Sequence, residues 1–226
     1  MKGETKKKRA LVRWCNNRLK KEYGQKLPRP DRPDPLEELI LTVLSQNTND
    51  KNRDRAFQEL KSRFPRWEEV LAAPTSKLEQ AIRSGGLARQ KSARIKKMLK
   101  QIKKREGKLD LGRICKMERE QALEYLYSFK GVGEKTAAIV LLFSCGEPVF
   151  PVDTHILRLS TRLGLVPVKA SAKKAHEIMG EAVPEELMYC FHLNMIEHGR
   201  RICHPRKPEC EGCCLSSKCR SANKIK

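Results

Sequence analysis

The chain has 226 residues, of which 48 are Lys or Arg and 27 are Asp or Glu, so its formal net charge is +21. Hydrophobic residues make up 39% of the chain, which argues against wholesale disorder, and no apolar run approaches the roughly 20 residues of a membrane span. The basic start lacks the apolar segment of a signal peptide, so we expect a cytoplasmic protein, nucleoid-associated in a prokaryote, with a polyanionic partner.

The chain is predicted to be all-α, because no segment alternates apolar and polar residues long enough to indicate a sheet. Residues 1–10 are predicted to form a frayed basic arm, residues 11–23 a helix and residues 28–35 a stiff proline-rich linker. Asp34 and Pro35 then fit the N-cap and the first position of a core helix. Further helices are predicted at residues 51–64, 67–73, 76–84, 90–105, 118–128, 134–145, 154–163, 171–183 and 185–198.

A glycine-containing hairpin, FKGVGEKTA, occupies residues 129–137 between two predicted helices. Gly131 and Gly133 permit a positive φ and a close approach of the backbone to another molecule, while Val132 is expected to pack inward. Free amides at the start of the following helix favour an anion, here a DNA phosphate. A nucleotide P-loop does not fit, because Glu134 stands where that motif requires glycine. Taken alone, such a turn can also be a plain helix connection.

The surroundings of the hairpin resemble a known family. Residues 126–162 read LYSFKGVGEKTAAIVLLFSCGEPVFPVDTHILRLSTR. This segment is similar to the endonuclease III family of helix-hairpin-helix DNA glycosylases, whose pattern is G-x-G-x-K-T-A, an apolar helix and V-D-T-H. The resemblance extends from about residue 36 to residue 219. It implies a DNA glycosylase and AP lyase that excises oxidised pyrimidines from duplex DNA in base excision repair and nicks the strand by β-elimination.

Lys135 and Asp153 are the candidate catalytic residues. Lys135 is expected in the first turn of its helix, where the helix dipole disfavours a cation and makes a neutral, nucleophilic amine more accessible. A carboxylate such as Asp153 can stabilise a developing oxocarbenium ion. From the residues alone, Lys135 can also be a surface lysine and Asp153 only a helix cap. The resemblance implies that Lys135 forms the Schiff base, that Asp153 is its partner and that His155 only supports them.

Five of the nine cysteines lie in the last 24 residues of the chain. Cys203, Cys210, Cys213 and Cys219 form the pattern C-x6-C-x2-C-x5-C, and four thiolates at this spacing can ligate zinc or a [4Fe–4S] cluster. The spacing does not decide between them. The resemblance implies a [4Fe–4S] cluster held by all four, with Cys214 outside the ligand set.

Two further expectations concern the cluster loop and the remaining cysteines. The cluster is expected to be structural and to present Arg206 and Lys207 to a phosphate backbone. The other cysteines are expected to be reduced, small buried hydrophobic residues: Cys15, Cys115, Cys145 and Cys190.

A base inside a duplex has to be flipped out before its sugar can be attacked, and the gap has to be filled. Residues 44–50 and 86–91 resemble the two wedge loops of the family. Asn47 corresponds to the gap-filling glutamine and Leu87 to the apolar wedge, but Gln46 beside Asn47 leaves open which amide fills the gap. Candidate phosphate contacts on the following helix are Lys91, Arg94, Lys96 and Lys97.

The resemblance implies two helical domains with a cleft that the two catalytic residues face from opposite sides. One domain comprises residues 36–147, and the other comprises residues 1–35 and 148–226 with the cluster loop at 203–219. We expect a monomer that binds double-stranded DNA with a damaged base or an abasic site, and no membrane. Two alternatives stay open: a uracil- or mismatch-specific glycosylase of the same superfamily, and a non-enzymatic helix-hairpin-helix DNA-binding module.

Overall fold

A computed structural model describes residues 2–222 of the chain. Within this range the secondary structure is helical and contains no β-strand, which confirms the all-α prediction. The α-helices of the range are α1 (Lys2–Tyr23), α2 (Pro35–Ser45), α3 (Asp50–Arg63), α4 (Trp67–Ala72), α5 (Thr75–Ala81), α6 (Ala88–Glu106), α7 (Arg119–Tyr127), α8 (Glu134–Val140), α9 (Thr154–Leu163), α10 (Ala172–Ala182) and α11 (Met188–Arg201). None of them combines the length and the apolar character that crossing a bilayer requires.

The described chain divides into two compact units. The central unit runs from Asp31 to Glu147 and contains α2 to α8. The terminal unit comprises the residues up to Pro30 and those from Pro148 onward, and contains α1 and α9 to α11.

Helix α2 is the core of the central unit and packs against α3, α6 and α8. The predicted start is confirmed: the Asp34 Oδ1 accepts hydrogen bonds from the Leu36 and Glu37 amides at 2.9 and 3.0 Å, and Pro35 occupies the first turn. Burying one aliphatic side chain contributes about 1.5–3 kcal/mol, so the apolar face of α2 stabilises this unit strongly. The fully buried residues of that face are Leu36, Leu39, Ile40, Val43 and Leu44.

The predicted helix at residues 134–145 is made of two parts, since α8 continues into a π-helical turn, Leu141–Cys145. The last residue of that turn forms a disulfide bond with Cys115, with the two Cα atoms 4.8 Å apart. The expectation that Cys115 and Cys145 are reduced and buried is therefore wrong: both are half-buried. Their bond ties the 3-10 turn Gly112–Lys116 to the end of the α8 segment and encloses α7 and the hairpin.

The terminal unit is built on α1, which packs against α10 and α11, while α9 also packs against α11. The prediction of a frayed arm over residues 1–10 is wrong from Lys2 onward, because α1 starts there; residue 1 lies outside the described range. Side chains hold this first part: Lys8 pairs with Glu4 at 2.9 Å, and the Arg9 Nε donates to a backbone carbonyl of α10 at 3.1 Å. The buried residues of α1 include Val12, Cys15 and Leu19.

Replacing Cys115 and Cys145 by serine should lower the free energy of unfolding of the oxidised protein by about 3–4 kcal/mol, because the bond constrains a loop of intermediate length in the unfolded chain. Urea unfolding with and without dithiothreitol measures this difference. Reduced wild-type protein should unfold like the double variant. Equal unfolding of oxidised and reduced wild type would show that the bond does not form.

Candidate functional site

The hairpin between α7 and α8 is held by two buried residues. Phe129 is fully buried and Val132 is 7% exposed, and the Val132 amide donates to the Phe129 carbonyl at 3.0 Å. The prediction that Val132 packs inward is confirmed. Gly131 adopts φ +90°, a left-handed conformation that favours glycine, whereas Gly133 has an extended backbone with φ −109°. A Cβ atom at Gly131 would lie 2.7 Å from the Arg94 Nε, so the turn also needs the missing side chain for space.

Lys135 is the second residue of α8 and is exposed. The next three residues are buried, and α8 packs against α2, so the buried face of the helix is opposite the lysine. The core therefore determines that the Lys135 side chain is open to solvent. The buried residues are Thr136, Ala137 and Ala138.

Asp153 is the N-cap of α9, in the terminal unit. Its Oδ1 accepts a hydrogen bond from the Ile156 amide at 2.8 Å, while its Oδ2 has no hydrogen-bond partner within residues 2–222. The carboxylate is half-buried. The helix-cap reading is thus correct, and it leaves one carboxylate oxygen for a second task. His155, two residues later, has its Nδ1 at 3.0 Å from the Arg158 Nη2.

Helix α9 also holds the loop that carries the C-terminal cysteines. The Arg158 Nε donates to the Cys203 carbonyl at 2.8 Å. One turn later, the Arg162 Nη1 donates to the Cys203 Sγ at 3.0 Å and to the His204 carbonyl at 2.8 Å. One helix therefore places Asp153 at its start and anchors the first cysteine of the loop near its end.

The four predicted ligand cysteines line one cavity, and all four thiols are free. Cys214 lies outside the lining of this cavity. Within residues 2–222, no three His, Cys, Asp or Glu side chains converge closely enough to hold a single metal ion. The cysteines that line the cavity are Cys203, Cys210, Cys213 and Cys219.

Several hydrogen-bond donors point at the sulfur atoms. The Leu215 amide donates to the Cys213 Sγ at 3.4 Å, and the Nε2 of His198 lies 3.4 Å from the same sulfur. Burial lowers the pKa of His198 to about 4, so the ring is neutral at pH 7. When the Tyr23 hydroxyl, 2.9 Å from Nδ1, donates to the ring, the proton sits on Nε2 and an N–H faces Cys213. Such donors suit thiolate ligands.

Three non-glycine residues of the described chain have a positive φ, and all three are predicted DNA contacts: Asn47, Leu87 and Lys207. Asn47 (φ +54°) is exposed between α2 and α3, and Leu87 (φ +49°) is 48% exposed before α6. Lys207 (φ +50°) is exposed next to Arg206, between the first two ligand cysteines. A left-handed backbone is uncommon for bulky residues, and strain of this kind concentrates at functional sites.

The two candidate gap-filling amides differ in their surroundings. Gln46 is half-buried, and its Oε1 accepts a hydrogen bond from the Arg94 Nη1. Asn47 is exposed at the tip of the loop. The structure thus leaves the side chain of Asn47 accessible and keeps that of Gln46 against α6.

The prediction that Lys91 is a phosphate contact is wrong. Lys91 is only 2% exposed, and its Nζ donates to the Leu44 carbonyl at 2.7 Å and to the Gly85 carbonyl at 2.8 Å. Burial and the nearby Arg94 charge both lower the pKa of Lys91. The Lys96 Nζ likewise donates to a backbone carbonyl of the same unit. The burial of Lys91 could have been predicted from the sequence, because Lys91 is in helical register with the apolar face of α6. The buried residues of that face are Ile95, Met98, Leu99 and Ile102.

Comparisons with known proteins show which chains this one is similar to. A family model described as "HhH-GPD superfamily base excision DNA repair protein" matches residues 40–185. Endonuclease III of Thermotoga maritima is 36% identical over 202 residues, which cover 89% of this chain and 90% of that protein. Endonuclease III of Bacillus subtilis is 34% identical over 190 residues, which cover 84% and 83%.

Longer relatives and solved structures also match. A protein of Arabidopsis thaliana that bears a DNA glycosylase name is 39% identical over 168 residues, and the match spans 74% of this chain but 57% of that protein. A solved non-covalent endonuclease III–DNA complex superposes with a TM-score of 0.81 at 29% identity, covering 96% of this chain and 97% of that one. A trapped covalent endonuclease III–DNA intermediate gives the same values.

Gly131→Ala should lower the free energy of unfolding by about 2 kcal/mol, because an L-residue is strained at this φ and its Cβ must displace Arg94. Gly133→Ala is the matched control, since its backbone is extended and a Cβ there meets nothing within 4 Å. It should cost about half as much or less, from the weaker N-cap preference of alanine. Equal costs in thermal unfolding would contradict the left-handed turn.

Proposed function

Because the chain belongs to the HhH-GPD superfamily of base excision DNA repair proteins, and within it to the endonuclease III family of DNA glycosylases and AP lyases, we propose that it excises oxidised pyrimidines from duplex DNA and nicks the resulting abasic site. The observation that carries the proposal is the exposed amine of Lys135, placed directly after the glycine hairpin. A module that only binds DNA does not require a nucleophile there.

In the proposed reaction, the neutral Nζ of Lys135 attacks C1′ of the damaged nucleotide. The glycosidic C–N bond breaks, and the base leaves with its bonding electrons and takes up a proton. The added nitrogen loses a proton, the C1′–O4′ bond breaks while O4′ takes up a proton, and the sugar ring opens to an iminium ion between Nζ and C1′. Loss of a proton from C2′ then expels the 3′-phosphate, and water releases the lysine from the unsaturated sugar. Asp153, through its free Oδ2, stabilises the positive charge on the sugar and accepts a proton.

Base extrusion is assigned to the two strained loops. Asn47 fills the gap in the base stack, since Gln46 is engaged by Arg94, and Leu87 enters as the apolar wedge. Both have exposed side chains, as insertion into a duplex requires. Unstacking a base costs a few kcal/mol, and these insertions offset that cost.

Contacts to the phosphate backbone are assigned to two exposed sites, one formed by protein backbone and the other by two cationic side chains. One is the hairpin of Gly131, Val132 and Gly133, whose buried valine leaves the flanking backbone at the surface. The other is the pair Arg206 and Lys207 on the cysteine loop. The net charge of +21 supports double-stranded DNA as the partner, because each phosphate contact releases condensed counterions.

The four cysteines that line the cavity fit a [4Fe–4S] cluster. Their thiols are free, N–H groups point at Cys203 and Cys213, and the four residues line a single cavity. The cluster would supply a cross-link between four points of the loop, and this loop presents Arg206 and Lys207.

Lys135→Ala should abolish the covalent complex with abasic DNA that borohydride reduction traps, because no amine remains to form the iminium ion. Lys130→Ala removes a neighbouring exposed lysine and should still cross-link. Asp153→Asn should slow base removal by about 10²- to 10⁴-fold. Trapping that survives in Lys135→Ala would assign the nucleophile elsewhere.

The rate of base removal distinguishes the substrate classes when the duplex carries thymine glycol, uracil or a mismatched thymine. The proposal predicts the highest single-turnover rate on thymine glycol. A preference for uracil or mismatched thymine would favour the alternative glycosylase, and a chain that only binds DNA would release no base from any of them.

Purified protein should contain about four iron atoms per chain and absorb visible light, as expected of a [4Fe–4S] centre. Cys203→Ser should lower the iron content and the melting temperature. Cys214→Ser is the matched control, since its thiol lies next to a ligand but outside the cavity, and it should keep its iron. Stoichiometric zinc in place of iron would contradict the assignment.

A further inference from the structure

Lys91 is the only lysine or arginine among the buried residues of the described chain. Its ammonium stands in the first turn of α6, where the helix dipole disfavours a cation, and Arg94 adds a like charge one turn away. A buried charge in such a place is costly unless hydrogen bonds compensate for the lost water. The positions of the two carbonyl groups that accept its hydrogen bonds therefore indicate the role of this lysine.

Both carbonyls stand at the base of a wedge loop. Leu44 lies in the last turn of α2, where backbone carbonyls lack helical partners and the dipole attracts a cation. Asn47 follows three residues later. Gly85 ends a 3-10 turn, and Leu87 follows two residues later. One ammonium group is thus bonded at 2.7 and 2.8 Å to the starts of two loops whose tips are both strained and exposed.

Arg94 extends this connection to the hairpin. Its Nη1 donates to the Gln46 Oε1 in the first wedge loop, and its side chain lies against Gly131, where an added Cβ would be 2.7 Å from Nε. The start of α6 therefore contacts three loops of the central unit that the proposed function assigns to DNA. Neither Lys91 nor Arg94 needs to touch DNA for this.

We propose that Lys91 is a positioning residue for base extrusion. By holding the Leu44 and Gly85 carbonyls, it sets the spacing between Asn47 and Leu87, so that the two side chains enter the duplex as one rigid pair. The inference rests on the proposed function and goes beyond it, because it names what holds the wedge together. It also distinguishes Lys91 from a phosphate contact, since its ammonium group is hydrogen-bonded inside the protein.

The test compares Lys91→Met with Lys100→Met, which removes an exposed lysine from the same helix. The substrates are a paired duplex with one abasic site and a single strand with the same site, where no gap has to be filled. Nicking of the duplex by Lys91→Met should fall about 10- to 100-fold, a loss typical of small misplacements in an active site. Nicking of the single strand should stay within about two-fold of wild type, and Lys100→Met should match wild type on both.

Two further readouts separate positioning from other roles. With 2-aminopurine opposite the abasic site, Lys91→Met should lose the fluorescence change that intrusion of the wedge produces. The slope of log affinity against log salt should stay unchanged, whereas losing a phosphate contact would reduce it by about 0.9. A reduced slope would overturn the inference in favour of a phosphate contact.

A mutant cycle tests whether Lys91 acts through the wedge residues. In an Asn47→Ala/Leu87→Ala background, Lys91→Met should cost less than about two-fold, because the groups that it positions are absent. A full loss in that background would show a general structural role. If Lys91→Met does not unfold cooperatively, Lys91→Gln, which keeps one donor in the same space, replaces it with the same expectations.

The failure of this inference differs from the failure of the proposed function. Wild-type protein that nicks neither substrate contradicts the proposed function. Wild-type protein that nicks both, with Lys91→Met affected equally on the two substrates or on neither, contradicts the positioning role.

Discussion

The direction in which α8 leaves the hairpin is the constraint on which the candidate site of the central unit depends. The left-handed turn at Gly131 and the buried side chains of Phe129 and Val132 determine that direction. The next buried residues hold α8 against α2, which leaves Lys135 exposed on the opposite face. The Lys135 amine therefore derives its position from apolar burial and from one backbone conformation.

In the terminal unit, α9 has the corresponding role. Its first residues are capped by Asp153, and its arginines bind the cysteine loop, with Arg162 reaching both a carbonyl group and the sulfur of Cys203. Gly199 allows α11 to approach closely, since a Cβ there would lie 2.8 Å from the Cβ of His155. The cysteine loop and the Asp153 carboxylate are thus connected through hydrogen bonds that α9 makes.

Local patterns predicted the fold well, and long-range contacts account for what they missed. The cap at Asp34, the apolar spacing of α2 and the inward packing of Val132 follow from neighbours in sequence, and the motif around Lys135 indicated the family that the comparisons confirm. The disulfide joins residues 30 positions apart, and the first turns of α1 are held by α10. Such pairings leave no local signal in a single sequence.

The central claim is that one amine bonds covalently to deoxyribose. Peptide mapping by mass spectrometry of the borohydride-reduced complex with abasic DNA tests it most directly. This measurement identifies the residue that carries the sugar, and it requires no substitution. The account predicts a sugar adduct on the peptide that contains Lys135, with the neighbouring lysines unmodified. An adduct on a different lysine or on the chain's amino terminus would contradict it, as would strand cleavage by this protein without any trapped adduct.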